Sequence, residues 1–316
     1  MAGSGPADRA ASSEHYRFEL VSEGVWAGIA RPQGDAICNS ALVDLGGTTL
    51  VFDTGMSPRS ARDLRGFGEA RYGRPTGLAA NSHWHLDHCL GNQEFERAPI
   101  WATRRTREIM LEKRTEREQE LTREALEKEV RELEEIRDRA RTEGARLDAE
   151  LFLQLLRAAL SALGELRIVA ADHEFETELA LPGTRGARLV SFGSGHTEAD
   201  ALLVLPQERV VYAGDLVCVG VQPSMGSGDP GHWLTVLDQI EWLRPERIVP
   251  GHGPVSGLES IQETRSYLTG VLVAAAAAPG APVPGAVQRW EDSYSLNANI
   301  EFARGWLKAH PDFRLP

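Results

Sequence analysis

The sequence is poor in cysteine, and the few cysteines that it has are far apart. Cys38, Cys89 and Cys218 are the only three among 316 residues. An odd and scattered set does not predict a disulfide framework of the kind that stabilises small secreted domains. Reduced thiols are typical of a reducing compartment, so we predict a cytoplasmic protein.

Excess positive charge and long apolar runs are also missing. The formal net charge of −12 disfavours nucleic acid as a partner, because the phosphate backbone attracts basic surfaces. No stretch reaches the length of a membrane span, which disfavours a membrane partner too. Residues 1–15 are rich in Gly, Ala and Ser and lack the apolar segment of a secretory signal. We expect these residues to form a flexible leader, and the substrate to be a small molecule.

Short strands are the commonest pattern outside one charged segment. The 42% hydrophobic content suffices for one large core. Residues 41–45 and 48–52 flank Gly46-Gly47, which predicts a hairpin with a tight turn. Further strands are predicted at residues 166–170, 188–192, 202–205, 210–213 and 247–250.

Helical patterns dominate the last third of the chain. A helix is predicted at residues 233–243, with Asp229 as its N-cap and Pro230 near its start. Two more are predicted at 259–278 and 297–309, separated by a Pro/Gly-rich break at 279–285.

A charged segment at residues 104–165 interrupts the strands. From residue 104 to about residue 150 it contains no proline and only one glycine, Gly144. Apolar residues recur there at helical spacing, which predicts two amphipathic helices folded back at Gly144: Leu126, Val130, Leu133, Ile136 and Ala140 in the first, and Leu147, Leu151 and Leu155 in the second. Such a helical hairpin serves as a solvated surface, as a lid over a site, or as a contact in a homodimer, and all three interpretations stay open.

The densest chemical signal is the run His83-Trp84-His85-Leu86-Asp87-His88. It contains four potential ligands with nitrogen and oxygen donors, which zinc binds at about 2 Å. Residues two apart on an extended loop face the same side, so His83 and His85 can hold one ion while Asp87 and His88 turn toward a second. Side chains of this kind crowded together without a metal would be costly to desolvate.

Three further candidate ligands follow predicted strands and lie beside glycines. They are His196, Asp215 and His252. Glycine permits a positive φ angle and a close backbone approach, both of which help to aim a side chain into a shared cleft. Because all three share the order strand, loop and ligand, we expect them at one edge of a layered sheet.

Taken together, these motifs resemble the metallo-β-lactamase-fold superfamily of metallohydrolases. The resemblance covers most of the chain outside the leader and the charged segment. It implies an α+β fold, an αββα sandwich with an inserted helical hairpin and C-terminal helices. The expected domain spans residues 16–256, interrupted by the insertion 104–165 and followed by a helical extension at 257–316.

The resemblance also implies a site with two metal ions. His83, His85 and His196 would hold the first ion and Asp87, His88 and His252 the second, with Asp215 bridging both. Asp87 and Asp215 would be the catalytic carboxylates. The ions are expected to be zinc, with iron or manganese as alternatives.

Other residues near these motifs receive supporting roles. Asp53 matches an Asp-Thr-Gly strand end of the family, and its implied role is to orient a ligating histidine. Cys89 is read as a small buried residue rather than a ligand. Trp84, Met225 and His232 are candidate substrate contacts, although capping of a helix is the favoured interpretation of His232.

The implied reaction is attack of a metal-bridged hydroxide on an ester, thioester or lactone carbonyl. The best-known β-lactamases carry a cysteine where this chain has Asp215, which makes the chain more similar to the glyoxalase II, lactonase, sulfatase and phosphodiesterase branches. The alternatives are a phosphodiesterase or β-lactam hydrolase on the same site, a di-iron redox protein, and a non-catalytic metal-binding interaction protein.

Overall fold

The fold is taken from a computed structural model, which describes residues 10–278 and 281–315. Eight strands form the first sheet in the order of the chain: β1 (Ala10–Ser12), β2 (Tyr16–Ser22), β3 (Val25–Ala30), β4 (Ser40–Asp44), β5 (Thr49–Phe52), β6 (Leu78–Ala80), β7 (Ile100–Thr103) and β8 (His173–Phe175). Strands β1 to β5 pair antiparallel, and β5 to β8 pair parallel.

The second sheet has five strands, β9 (Glu178–Ala180), β10 (Arg188–Gly193), β11 (Asp200–Leu205), β12 (Val210–Cys218) and β13 (Arg247–His252). Their order across the sheet is β13-β12-β11-β10-β9. Only the β12–β13 pair among them is parallel. That pair brings Asp215, which lies within β12, close to His252, the last residue of β13.

The core lies between the two sheets, and helices cover their outer faces. Val43 and Phe52 of the first sheet pack against Leu203 and Tyr212 of the second. On the opposite face of the first sheet, Leu42 packs with the helix α1 (Pro58–Tyr72). Helices α7 (Pro230–Trp242), α8 (Glu259–Ala276) and α9 (Tyr294–Ala309) cover the second sheet. This is the expected αββα sandwich.

Several local predictions are confirmed. The hairpin across Gly46-Gly47 is the β4–β5 pair. Asp229 caps α7 by accepting hydrogen bonds from the backbone N–H groups of Gly231 and His232, and Pro230 is the first helical residue. The later strand and helix predictions fall on β10 to β13, α8 and α9. The break at 279–285 includes residues 279 and 280, which lie outside the described part of the chain.

Two local predictions are wrong. Residues 166–170 form no strand; the chain there is irregular, and the next strand is β8 at the edge of the first sheet. The prediction of a flexible leader at residues 1–15 is also wrong for residues 10–12, which form a strand. Ala10–Ser12 pair antiparallel with Arg17–Glu19 of β2, because the open edge of that strand offers unpaired backbone groups. Residues 1–9 lie outside the described residues.

The insertion contains four helices rather than two. They are α3 (Arg104–Glu112), α4 (Arg114–Glu120), α5 (Arg123–Arg139) and α6 (Glu143–Ala162). The chain reverses at residues 140–142, and Gly144 lies inside the first turn of α6, after the N-cap Thr142. A β-carbon at Gly144 would lie 2.0 Å from the carbonyl oxygen of Arg289. Gly144 therefore permits a close approach to the C-terminal extension and does not make the turn.

The apolar seam of the insertion is covered within its own chain. Leu126 and Leu133 of α5 pack with Leu153 and Leu156 of α6 in a cluster that also contains Met56 of the sandwich. The insertion is thus docked on the domain. A homodimer contact through the insertion stays a prediction, but it cannot use Leu126 and Leu133, whose spacing suggested it.

Hydrogen bonds join the insertion to the C-terminal extension. Asp148 of α6 accepts hydrogen bonds from the side chain of Gln222 at 3.1 Å and from the backbone N–H of Ser295 at 2.9 Å. Gln222 also donates to the hydroxyl of Ser293 at 2.9 Å. The buried network holds the base of α6 in place.

Two further observations concern the cysteines and the helices. All three cysteines are free and buried. Within the part of the chain that the structure describes, no helix has both the length and the apolar character needed to cross a membrane.

Candidate metal centre

The histidine motif lies where β6 leaves the first sheet. His83 and His85 are on the loop, and His85, with extended backbone angles, precedes the single-turn helix α2 (Leu86–Cys89). Asp87 and His88 lie on that helix turn. The change from extended chain to helix separates the four ligands into two pairs that face different directions, as the spacing predicted.

The structure brings all seven predicted ligands together in two groups. The first consists of His83, His85, His196 and Asp215, and the second of Asp87, His88 and His252. In each group the potential ligand atoms lie within 4.8 Å of one another. Within the first group, Nε2 of His196 lies 2.9 Å from Nδ1 of His85.

Asp215 lies between the two groups. Its Oδ1 is 3.2 Å from Nε2 of His88 and 3.3 Å from Nε2 of His252. Its Oδ2 is 3.4 Å from Nε2 of His196. A β-carbon at Gly251 would lie 1.9 Å from Oδ1 of Asp215, so only glycine leaves room for the carboxylate there.

Asp53, the residue expected to orient a ligating histidine, is hydrogen-bonded to His88 and to Ser82. Its Oδ2 accepts a hydrogen bond from Nδ1 of His88 at 2.9 Å and another from the hydroxyl of Ser82 at 2.8 Å. Its Oδ1 accepts from the backbone N–H of Ser82 at 2.7 Å. Asp53 has a φ of 61°, which is uncommon outside glycine and costs conformational energy. The surrounding contacts hold this backbone so that one carboxylate serves two partners.

Two further contacts set the orientation of histidine rings. Nδ1 of His83 lies 2.9 Å from the hydroxyl of Ser82, which itself donates to Asp53. Nδ1 of His252 donates to the carbonyl oxygen of Ile37 at 3.1 Å. Ile37 also has a positive φ, 66°, rare for a β-branched residue. With Nδ1 engaged in this way, Nε2 of each ring faces the centre.

The first group favours neutral imidazoles. Burial, together with the neighbouring His196, lowers the pKa of His85 to about 3. Burial likewise lowers the pKa of His83 and of His196. Neutral imidazole is the form that binds a metal ion, so these three side chains are in the state that a metal requires.

The second group is electrostatically different. Burial acts to lower the pKa of His252, but the carboxylates of Asp215 and Asp87 outweigh it and raise this pKa to about 10. Burial acts to raise the pKa of Asp215, but His252 and His88 hold it well below its usual range. Two ionised carboxylates here demand positive charge, which protons on the histidines or a metal cation can supply.

The donor atoms themselves fit a metal ion. Among the described residues, Nε2 of His83, Nε2 of His88 and Oδ1 of Asp215 are buried without a hydrogen-bond partner. Buried polar atoms are normally satisfied, so unpaired atoms in both ligand groups call for an explanation. Bound cations would satisfy all three, and their nitrogen and oxygen character suits zinc, iron or manganese.

A cavity of about 430 Å³ opens onto the two groups. His85, Asp87, His196, Asp215 and His252 form its floor. The insertion contributes part of the wall: Leu151, Phe152 and Leu155 of α6, Glu116, Arg117 and Glu120 of α4, and Lys113, the residue before α4. The insertion therefore covers the site, which was one of the three roles left open by the sequence.

The predicted substrate contacts divide between the cavity and the core. Trp84 lines the cavity, and its Nε1 donates to Glu198 at 2.8 Å. Met225 is fully buried in the core beside the second sheet and lines no part of the cavity. His232 lies outside it as well, with Nδ1 2.6 Å from the carbonyl oxygen of Ser194. Cys89 is buried and donates to the carbonyl oxygen of His85, consistent with a structural role.

Sequence reasoning missed several residues of the site. Ser82 adjoins the histidine motif, and its hydroxyl could have been suspected from that position alone. Ile37 acts through its carbonyl group and carries no signal in the sequence. Arg117 was hidden in a charged helix in which most side chains face solvent.

A family model places this architecture among known proteins. The model of the metallo-β-lactamase superfamily matches residues 34–252, more than half of the chain. The chain belongs to the metallo-β-lactamase superfamily. A comparison with curated protein sequences finds no match.

Solved structures of superfamily members share the fold at low sequence identity. The FIM-1 metallo-β-lactamase from Pseudomonas aeruginosa, in its mono-zinc form, is 16% identical with a TM-score of 0.55, covering 82% of this chain and 95% of that one. A metallo-β-lactamase from Erythrobacter litoralis is 15% identical with a TM-score of 0.56, covering 82% and 98%. One from Hirschia baltica is 15% identical with a TM-score of 0.54, covering 80% and 98%. At such identities the likeness concerns the fold alone.

Proposed function

We propose that this protein is a metal-dependent hydrolase that holds two divalent ions, preferably zinc, and cleaves an ester, a thioester or a lactone. The observation that carries the proposal is the position of Asp215, whose two oxygens face different groups of ligands. A carboxylate placed in this way suits a bridge between two ions. Ions bound there lower the pKa of water and polarise a substrate oxygen.

Each ligand has an assigned place in this proposal. His83, His85 and His196 would hold the first ion, Asp87, His88 and His252 would hold the second, and Asp215 would serve both. Asp53 and Ser82 keep Nε2 of His88 and of His83 directed at the centre through hydrogen bonds to the opposite ring nitrogens. Such supporting partners raise ligand basicity and restrict ring rotation.

The cavity wall supports reaction with a small acyl compound. A volume of about 430 Å³ suits a small molecule. Leu151, Phe152 and Leu155 exclude water from one side of the bound substrate. Apolar side chains that line the same cavity as the ligands suit the acyl chain of an ester, thioester or lactone better than a bulky polar polymer.

The position of His232 favours these substrates over amides. An amide nitrogen needs a proton from a general acid as it departs, whereas the oxygen or sulfur of an activated ester departs more easily. His232 was the one candidate acid outside the ligands, and it lies away from the cavity. We therefore propose that β-lactams are poor substrates, in spite of the fold.

The proposal includes the organisation and location of the protein. We assign catalysis to the domain at residues 16–256, and the control of access to the insertion at 104–165. The extension at 257–316 holds the base of the insertion through Ser295. A cytoplasmic location stays a prediction, suggested by three free cysteines.

Metal analysis and a substrate panel test the proposed function. Protein loaded with excess zinc and then dialysed is expected to hold two ions per chain. Its kcat/KM should be highest for an activated ester, thioester or lactone, and lower for a penicillin and for bis(p-nitrophenyl) phosphate. One ion per chain at saturation would contradict the bridge at Asp215. Fastest cleavage of the phosphodiester would establish the alternative activity on the same site.

A further inference from the structure

Arg117 stands out in the cavity wall because it is buried and charged. It lies on α4 with only 5% of its surface exposed, whereas its charged neighbours on that helix, Glu116 and Glu120, are exposed. A buried cation is costly unless a partner compensates its lost hydration. The burial of Arg117 therefore needs an explanation, whereas the exposed charged residues of the same helix are simply solvated.

Protein partners supply only part of that compensation. The guanidinium carbon lies 4.8 Å from the centre of the Trp84 ring, a cation–π contact. In residues 10–278 and 281–315, Arg117 forms no ion pair and its side chain donates no hydrogen bond. The neighbouring cations are paired: Lys113, just before the helix, lies 3.8 Å from Glu116, and Arg114, on the helix, lies 3.1 Å from Glu118. The guanidinium nitrogens of Arg117 keep some exposure, and the side chain lines the cavity without a protein partner for its N–H groups among the described residues.

The position of Arg117 ties it to the metal centre. Trp84 lies between His83 and His85 in the chain, and its ring centre is 4.6 Å from that of His85. A group bound by Arg117 would therefore lie in the same cavity as the ligands, on the side of Trp84. The carboxylates of Asp87 and Asp215 are directed to the second group of ligands and to His196, and do not pair with Arg117.

From this geometry we infer that Arg117 binds an anionic group of the substrate. This group would be a carboxylate on the acyl part of the substrate, at a distance from the bond that is cleaved. The planar guanidinium presents two parallel N–H groups that match the two oxygens of a carboxylate. The inference rests on the proposed hydrolase activity and narrows its substrate class. Arg117 would be a residue that determines specificity, not one that takes part in bond cleavage.

Two esters of similar intrinsic reactivity test the inference. p-Nitrophenyl hydrogen suberate carries a free carboxylate that is too far along the chain to attack its own ester, and its methyl ester is the neutral counterpart. The zinc-loaded enzyme should prefer the anionic ester, and Arg117→Gln should lower kcat/KM for that ester alone by about 10- to 100-fold, the range for a charged hydrogen-bond pair. Arg117→Lys should restore part of the preference, and the exposed Arg114→Gln should leave it unchanged.

A binding experiment separates this inference from the proposed activity. Titration calorimetry of glutarate into protein dialysed against EDTA measures the binding of a carboxylate to Arg117 in the absence of metal. Wild-type protein and Arg114→Gln should bind glutarate, and Arg117→Gln should raise the Kd at least about tenfold. If no ester is cleaved but this difference is found, the hydrolase proposal fails and the anion site stands.

Two outcomes would overturn the inference. Equal loss of activity toward both esters in Arg117→Gln would mean that the side chain only supports Trp84. Absence of any Arg117-dependent glutarate binding, together with no preference for the anionic ester in the wild type, would remove the anion site while leaving the hydrolase proposal intact.

Discussion

The loops of the metal centre and the helices of the insertion hold their residues by different means. At the centre, each supporting contact is specific: Asp53 serves His88 and Ser82 at once, from a backbone with positive φ. In the insertion, α5 and α6 are held by apolar packing, and their surface carries ion pairs such as Arg123 with Glu127. Exposed pairs of this kind contribute about 0–1 kcal/mol each.

If the proposed function is correct, this difference would assign catalysis to the metal centre and substrate selectivity to the insertion. A metal ion tolerates little error in the position of its ligands, so those ligands need polar contacts of defined geometry. The cavity wall needs shape and charge, which a packed helix pair can supply and vary without disturbing the ligands. The two regions should therefore respond independently to substitution, and three changes test this.

The largest expected effect comes from the metal centre. Asp215→Asn keeps the size of the side chain but removes the charge that both ligand groups face, so the second ion should be lost and kcat/KM should fall by about 100-fold or more. The circular dichroism spectrum and the exchange of amides in the insertion should not change. Metal content and kcat/KM are measured on the same preparation, with the exposed Asp138→Asn as the control. Full activity with two bound ions would refute the bridging role.

A smaller effect is expected from the insertion. Leu126→Ala removes a buried side chain between α5 and α6 and should destabilise this packing by about 2–4 kcal/mol, the usual cost of such a cavity. Hydrogen exchange in residues 123–162 should accelerate and KM should rise, while the protein still binds its metal ions. Leu111→Ala, at a position 47% exposed, is the matched control. Loss of metal in Leu126→Ala would show that the two regions are not independent.

The smallest effect concerns pH and a carboxyl behind the His196 loop. Burial raises the pKa of Asp200 to about 7, although Thr197 donates hydrogen bonds to it. A folded-state pKa above the unfolded value contributes stability at low pH that is lost as pH rises through 7. From pH 6 to pH 8 this loss amounts to about 1 kcal/mol. Chemical denaturation across this range should show a fall in stability that is about 1 kcal/mol larger in the wild type than in Asp200→Asn, because other groups such as His252 titrate in both proteins. An identical slope in both would assign the effect to those other groups.

The sequence alone was sufficient where the signal is local. The motif His83 to His88 places four ligands in six residues, and no distant contact is needed to recognise it. The sequence placed the remaining ligands in loops after strands, which holds for His196. Asp215 instead lies within β12 and His252 ends β13, and the parallel pairing of these two strands explains why the two ligands meet. Capping by Asp229 was equally readable, because a helix start depends on a few neighbouring residues.

Only the tertiary structure shows which surfaces the helices of the insertion contact. The period of Leu126 and Leu133 indicated an apolar face, but the same pattern fits a partner in another chain or a neighbouring helix. Only the folded chain places α6 against that face and α4 beside Trp84. The periodicity of apolar residues indicates that one face of a helix is buried. Which element buries that face depends on contacts between residues far apart in the chain. For the same reason Arg117 reads as one charge among many in the sequence, and becomes an unpaired cation in the cavity only when the fold buries it.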